Sequence, residues 1–134
     1  MRLRVVRRAK WCVLTPVGED GRCELLEFLD GLSGEMASDS ERLLRRLRYL
    51  SEAGSIRNEE QARAIEGADG IFELKGKHVR AFYFNYSGYR IVCSHGVKKP
   101  KKKQVLVEAA KAERLREEIA KAEREGRLEI QEEP

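Results

Sequence analysis

Lys75, Arg80, His95, Lys98 and Lys99 are the side chains whose types and spacing could do chemistry together. The densest group lies in HGVKKPKKK, residues 95–103, where five lysines fall within six positions and only Pro100 interrupts. An arginine offers planar, permanently charged donors that match two phosphate oxygens. A lysine crowded by like charges deprotonates more readily than a free one, so Lys75 or Lys99 can serve as base or acid. His95 titrates in the useful range if it reaches the same phosphate. The chemistry such a set supports is proton transfer and charge stabilisation at one or two phosphates. Plainer readings stand beside it: a solvated lysine loop, an Arg80 that merely pairs with Glu73, and a surface or capping His95.

Neither a metal nor a cofactor is expected. Cys93-x-His95 has no second pair at ligand spacing, and neither a nucleotide-binding glycine loop nor a nucleophile motif is present.

The elements that must position these residues follow from periodicity. Two β-prone pieces, around Val5-Val6 and over residues 11–15, open the chain, and Pro16 with GEDG ends the second. Leu25, Phe28, Leu29 and Leu32 are spaced for a helix, with Asp20 or Gly21 as N-cap. Ser38 and Glu41 form an S-x-x-E capping box before a second stripe of Leu43, Leu44, Leu47 and Leu50, which Gly54 closes. The two read as a helical hairpin. SIRNEEQARAIEGADG is a polar loop with one helical turn. Three strands, 70–75, 78–85 and 89–94, have connections so short that they must form an antiparallel meander. A third helix over 105–125 shows a narrow stripe of Val105, Ala109, Ala112, Leu115, Ile119 and Ala122. The expectation is one α+β domain over 1–125, with 126–134 as a loose tail.

Along the strands, Glu73 and Lys75 share one face, and His78 and Arg80 share theirs with Phe82 and Phe84. Lys75, Arg80, His95 and Lys98-Lys99 then converge at one end of the sheet.

The chain has 37% charged residues, 41% apolar residues and a net charge of +4, and the placement of the charge matters more than its sum. Arginines load the first eight residues and lysines load 98–103, whereas acids outnumber bases from Gln104 onward, nine to six. That asymmetry suits a polyanionic partner upstream of the last helix. Three widely spaced cysteines argue against a disulfide framework, and no apolar run is long enough for a membrane, so a cytoplasmic protein is expected.

GIFELKGKHVRAFYFNYSGYRIVCSHGVKKPKKK resembles the strand signature of the RelE/HigB superfamily of bacterial toxins, in its phage-derived HigB-like branch. The likeness rests on a G-[IL]-[YF]-E-L-[RK] strand, an R-x-[FY]-Y-F strand and an L-L-H-G-F-x-K-K ending, with WCVLTP, CELLEFLDGL and YLSEAG in order upstream. It covers about residues 10–120. The resemblance implies a RelE-like fold: N-terminal strand, helical hairpin, three-stranded meander completing the sheet, and C-terminal helix. It also implies the toxin of a type II toxin-antitoxin system, a metal-independent endoribonuclease cutting mRNA on the ribosome and neutralised by a small helix-turn-helix antitoxin. Carried over position by position, the basic cluster is Lys75, Arg80 and Lys98 or Lys99, with His95 at the branch's histidine. Lys101, Lys102, Lys103, Arg45 and Arg48 would contact RNA or the ribosome. Relatives with a catalytic Tyr or His near the C-terminus have no counterpart here, because the last helix contains neither. The alternative is a non-catalytic RNA- or DNA-binding module, or a degenerate toxin kept as a partner-binding domain.

Overall fold

Strands with two apolar faces need cover on both sides, and the chain supplies it. The structure is a computed structural model that describes residues 1–132. β1 (Arg2–Arg8) and β2 (Cys12–Val17) form an antiparallel hairpin. Then come α1 (Glu24–Asp30), a 3₁₀ turn (Gly34–Met36), α2 (Ala37–Ala53), β3 (Ala62–Ala64), β4 (Ile71–Lys75) and β5 (Val79–Asn85). β6 (Arg90–Lys98), α3 (Lys102–Arg124) and β7 (Glu129–Gln131) complete the described chain. The seven strands make one mixed sheet in the order β3-β4-β5-β6-β2-β1-β7. β3 to β6 are antiparallel neighbours, whereas β2 meets β6 and β7 meets β1 in parallel.

One face of the sheet carries Leu74, Val79, Ala81, Tyr83, Ile91 and Cys93 beneath the leucines of α1 and α2. The other carries Leu14, Ile71, Phe82, Phe84 and Val92 beneath Ala109, Ala112 and Ile119 of α3. The expected alternation on β4 and β5 holds, so Glu73, Lys75 and Arg80 lie on the α3 side. The α+β architecture and the antiparallel meander are as read from the sequence.

Several local expectations are corrected. α1 starts at Glu24 with Cys23 as its N-cap and no side-chain cap, while the Asp20 carboxylate accepts the Arg22 amide at 3.0 Å within the preceding turn. Leu32 lies beyond the end of α1. α2 begins at Ala37 behind the 3₁₀ turn, which puts Ser38 inside its first turn and leaves the capping box unmade. Leu44 is exposed, but Gly54 does close α2 in the left-handed region (φ 81°), with the Trp11 ring packed where a side chain would stand. α1 leans on β2 and β6 and α2 on β1, β2 and β4, so both helices of the expected hairpin pack on the sheet.

Three further corrections follow, the first two at the site. The polar link contains β3, whose three residues pair with β4. β6 runs on to Lys98, so the lysine run begins inside the sheet, and α3 takes up Lys102 and Lys103. Within the expected tail, residues 129–131 pair with β1 and the Arg8 guanidinium bonds Glu132 at 2.5 Å. Residues 133–134 of that tail lie outside the described residues.

Candidate functional site

The α3 face of the sheet ends in a cleft of about 750 Å³ between β3–β5 and the start of α3. Lys75, Arg80 and Lys99 line it, as expected, together with Arg63 and Lys102 and the carboxylates of Glu66 and Glu73. Register explains the convergence. Lys75 stands opposite Arg80 on β5, and Arg80 stands opposite Val97 on β6, two residues before Lys99. A cleft of similar size beside Met1 and Arg127 mixes acids and bases. The Arg80 cleft sets five cations against two carboxylates, which is the imbalance a polyanion fills.

Arg80 is held on three sides. Its Nη1 donates to the carbonyls of Gly76 at 2.7 Å and Val79 at 2.8 Å. Its Nε faces Glu73 Oε2 at 3.7 Å, and Arg63 approaches the other oxygen at 3.4 Å. With its side chain 11% exposed, burial lowers its pKa, Glu73 opposes that and Arg63 adds to it. The guanidinium stays charged at any ordinary pH. Among the described residues Nη2 has no hydrogen-bond partner, so one edge of a pre-oriented cation is left for a ligand. Arg80 thus combines both sequence readings: it pairs with Glu73 and it lines the cleft.

The other candidates separate. Lys98 is exposed and opposite Val79, so it projects to the α1–α2 face, away from Arg80. Lys101 is the N-cap of α3, and Lys102 and Lys103 open its first turn, which contains no acid. Positive charge piled on the positive end of a helix dipole is unfavourable unless an anion meets it. Arg45 and Arg48 are exposed on α2, where Arg48 lies 3.6 Å from Glu52.

His95 is not in the cleft. A β-bulge between Phe82 and Tyr83 leaves Ser94 as an extra residue of β6, so His95 faces α3 while Cys93 faces α1 and α2. The ring stacks on Phe82, its Nε2 meets Glu108 Oε1 at 2.9 Å and its Nδ1 meets Ser94 Oγ at 2.8 Å. Burial holds its pKa below the ordinary value, Lys111 pushes the same way, and Glu108 opposes both. A neutral ring then donates from Nε2 to Glu108 and accepts the serine proton at Nδ1. Both nitrogens are committed and the ring is fully buried, so the geometry does not support the expected acid role.

The sequence reading missed Arg63, because β3 was invisible to it, and missed a second carboxylate–histidine pair. Asp39, fully buried on α2, reaches the turn between β4 and β5. It accepts the amides of Lys77 and His78 at 2.5 and 3.3 Å, His78 Nδ1 at 2.9 Å and Arg42 Nη1 at 3.0 Å. Its own burial would raise its pKa, but the donated bonds from His78 and the two amides outweigh this and hold it below the usual range. No local motif links Asp39 to His78, so only the tertiary fold reveals the pair.

Among the described residues, no three His, Cys, Asp or Glu side chains gather in a group that could hold a metal ion, and no helix is long and apolar enough to cross a membrane. No curated protein matches the chain. The family model described as Phage derived protein Gp49-like matches residues 27–125, a span that runs from α1 through the cleft strands to the end of α3. By that match over most of its length, the chain belongs to the Gp49-like phage-derived family, within the RelE/HigB-like toxin-antitoxin group.

Proposed function

We propose that the protein is the toxin of a type II toxin-antitoxin system and acts as a metal-independent endoribonuclease on ribosome-bound mRNA. The observation that carries this reading is the meeting of Lys75, Arg80 and Lys99 in one cleft, with Arg80 pre-oriented and one guanidinium edge unpartnered. The reaction is attack of an RNA 2′-hydroxyl on the adjacent phosphorus with expulsion of the 5′-oxygen. Arg80 stabilises the charge that builds on the non-bridging oxygens, and because it is already fixed it needs no reorganisation when that charge appears. Lys75 and Lys99 flank it as proton carriers and as counter-charges. The ribosome supplies the orientation of the mRNA, so the toxin completes a geometry rather than building one. Lys101, Lys102, Lys103, Arg45 and Arg48 dock on RNA, and a small helix-turn-helix antitoxin is the neutralising partner.

The test is an in vitro translation reaction with the purified protein, with mRNA ends mapped by primer extension beside a ribosome-free control. Cuts that depend on programmed ribosomes and fall by about 100-fold or more in Arg80→Ala are the expected result. Binding to RNA with no cut in any condition favours the non-catalytic module instead, a reading that draws on the extensive tethering of Arg80 to its own backbone and Glu73.

A further inference from the structure

We propose that His78, oriented by Asp39, is the general base of this site, taking the proton from the attacking 2′-hydroxyl. This rests on the endoribonuclease reading above. The two histidines of the chain differ in what their rings have left to offer. His78 gives Nδ1 to the Asp39 carboxylate at 2.9 Å, and its side chain is 31% exposed. Because Asp39 is held as an anion and accepts at Nδ1, the neutral form of the ring keeps its hydrogen there and has its lone pair at Nε2. No hydrogen bond occupies Nε2 among the described residues. A buried carboxylate that fixes a tautomer while the far nitrogen stays open is the arrangement a base needs.

Placement ties this ring to the cleft. Asp39 lies so tightly under the turn that a Cβ on Gly76 would stand 2.9 Å from its Oδ1. The Gly76 carbonyl is one of the two that Arg80 Nη1 grips, and Arg80 feels the charge of Asp39. His78 stands two residues before Arg80, in the bend that leads into β5. On the other side the Lys99 amide donates to the His78 carbonyl at 2.8 Å. The backbone of His78 therefore lies beside two of the five cations that line the cleft, while its ring stands at the cleft's edge, turned to Asp39 on α2.

The charge beyond His78 points the same way. Burial lowers the pKa of Arg46 on α2, and the neighbouring charges of Arg42, Arg45 and Arg80 lower it further. These arginines form one positive arc running from the cleft, over the Gly76–His78 turn, onto α2. An RNA strand with one phosphate at Arg80 and the next along this arc passes over His78, with its sugar at the ring.

The step balances. His78 Nε2 takes the 2′-hydroxyl proton, the 2′-oxygen bonds to phosphorus, and the bond from phosphorus to the 5′-oxygen breaks. That oxygen takes a proton from the Lys99 ammonium, leaving a 2′,3′-cyclic phosphate and a 5′-hydroxyl. Asp39 is a positioning residue.

The decisive variant is His78→Asn, because the asparagine amide nitrogen can stand where Nδ1 stands and keep the tie to Asp39 while Nε2 is lost. The full-length wild type, His78→Asn and Arg80→Ala are compared on programmed ribosomes, with thermal unfolding of each. The expected result is a loss of about 100-fold or more for His78→Asn at an unchanged Tm. His78→Asn cutting within about threefold of wild type, while Arg80→Ala is inactive, overturns the dyad alone. A folded wild type that never cuts overturns the endoribonuclease reading and the dyad with it. Should Asn loosen the turn, nitrogen NMR of the wild-type ring decides: a neutral tautomer protonated at Nδ1 supports the proposal, and one protonated at Nε2 overturns it. Asp39→Asn should shift that tautomer balance and lower kcat with little change in KM.

Discussion

His95 and His78 each meet a carboxylate at 2.9 Å, yet the two pairs sit in opposite circumstances. At His95 the ring is the buried member, locked between Phe82 below and Glu108 and Ser94 at its nitrogens. At His78 the carboxylate is the buried member and the ring stands partly in solvent. The first arrangement fastens α3 to the sheet. The second holds a turn and leaves one ring nitrogen without a partner among the described residues. Pairing with a carboxylate therefore says little about a histidine's work; which partner is buried, and how many ring nitrogens remain, says much more.

The comparison can be broken most forcefully at His95. His95→Ala removes a fully buried ring, its stack on Phe82 and the partner of Glu108, and should destabilise the fold by about 3 kcal/mol in denaturant titration. The folded fraction should still cut like wild type, whereas a selective loss of cutting would return His95 to the active site. Asp39→Ala strands the amides of Lys77 and His78 and should cost about 2 kcal/mol, with cutting lost as well. That double effect is the signature expected at one pair and not at the other.

Acid sharpens the contrast. The folded pKa of His95 is depressed, chiefly by burial, so the unfolded chain takes up its proton first, near pH ~6.5. Its contribution to stability is complete above that pH and is lost as the pH falls from there toward the folded value. Wild type should lose stability over this window and His95→Ala should not, as unfolding titrations at stepped pH would show. Smaller again, replacing Lys101, Lys102 and Lys103 by Gln should flatten the salt dependence of ribosome binding, by about one unit of log-log slope for each lysine that meets a phosphate. Arg48→Ala should be the mildest change. Its exposed pair with Glu52 is worth under about 1 kcal/mol, and any effect should appear in binding rather than in stability.

Period-two alternation was enough to place Glu73, Lys75 and Arg80 on one face and to predict the meander that unites them. Leucine spacing located α2, and Gly54 marked its end. What stayed hidden depends on partners distant in sequence. β3 has three residues and exists only because β4 is beside it. β7 needs β1, more than a hundred positions earlier. Ser38 followed by Glu41 has the spacing of a cap, but the 3₁₀ turn moves the N-cap to Met36, two residues sooner. Asp39 and His78 are separated by the rest of α2 and two strands, so nothing local joins them. His95 is separated from the site for a different reason: it shares a face with Val97 and Arg80, but α3 covers it, and its ring is taken up by Glu108, Ser94 and Phe82.

The bulge at Ser94 also determines where the chain length of this sheet can change. β6 carries one residue more than β5 requires, since Tyr83 pairs with Cys93 and Phe82 with His95. Deleting Ser94 would make that stretch regular while leaving Cys93 toward α1 and α2 and His95 toward α3. A deletion among residues 91–93, which pair regularly, would instead turn every later side chain over, His95 and Val97 included. Ser94 is thus the point in this strand where the reading frame of the faces can absorb a lost residue, and its hydroxyl on His95 is what such a loss would forfeit.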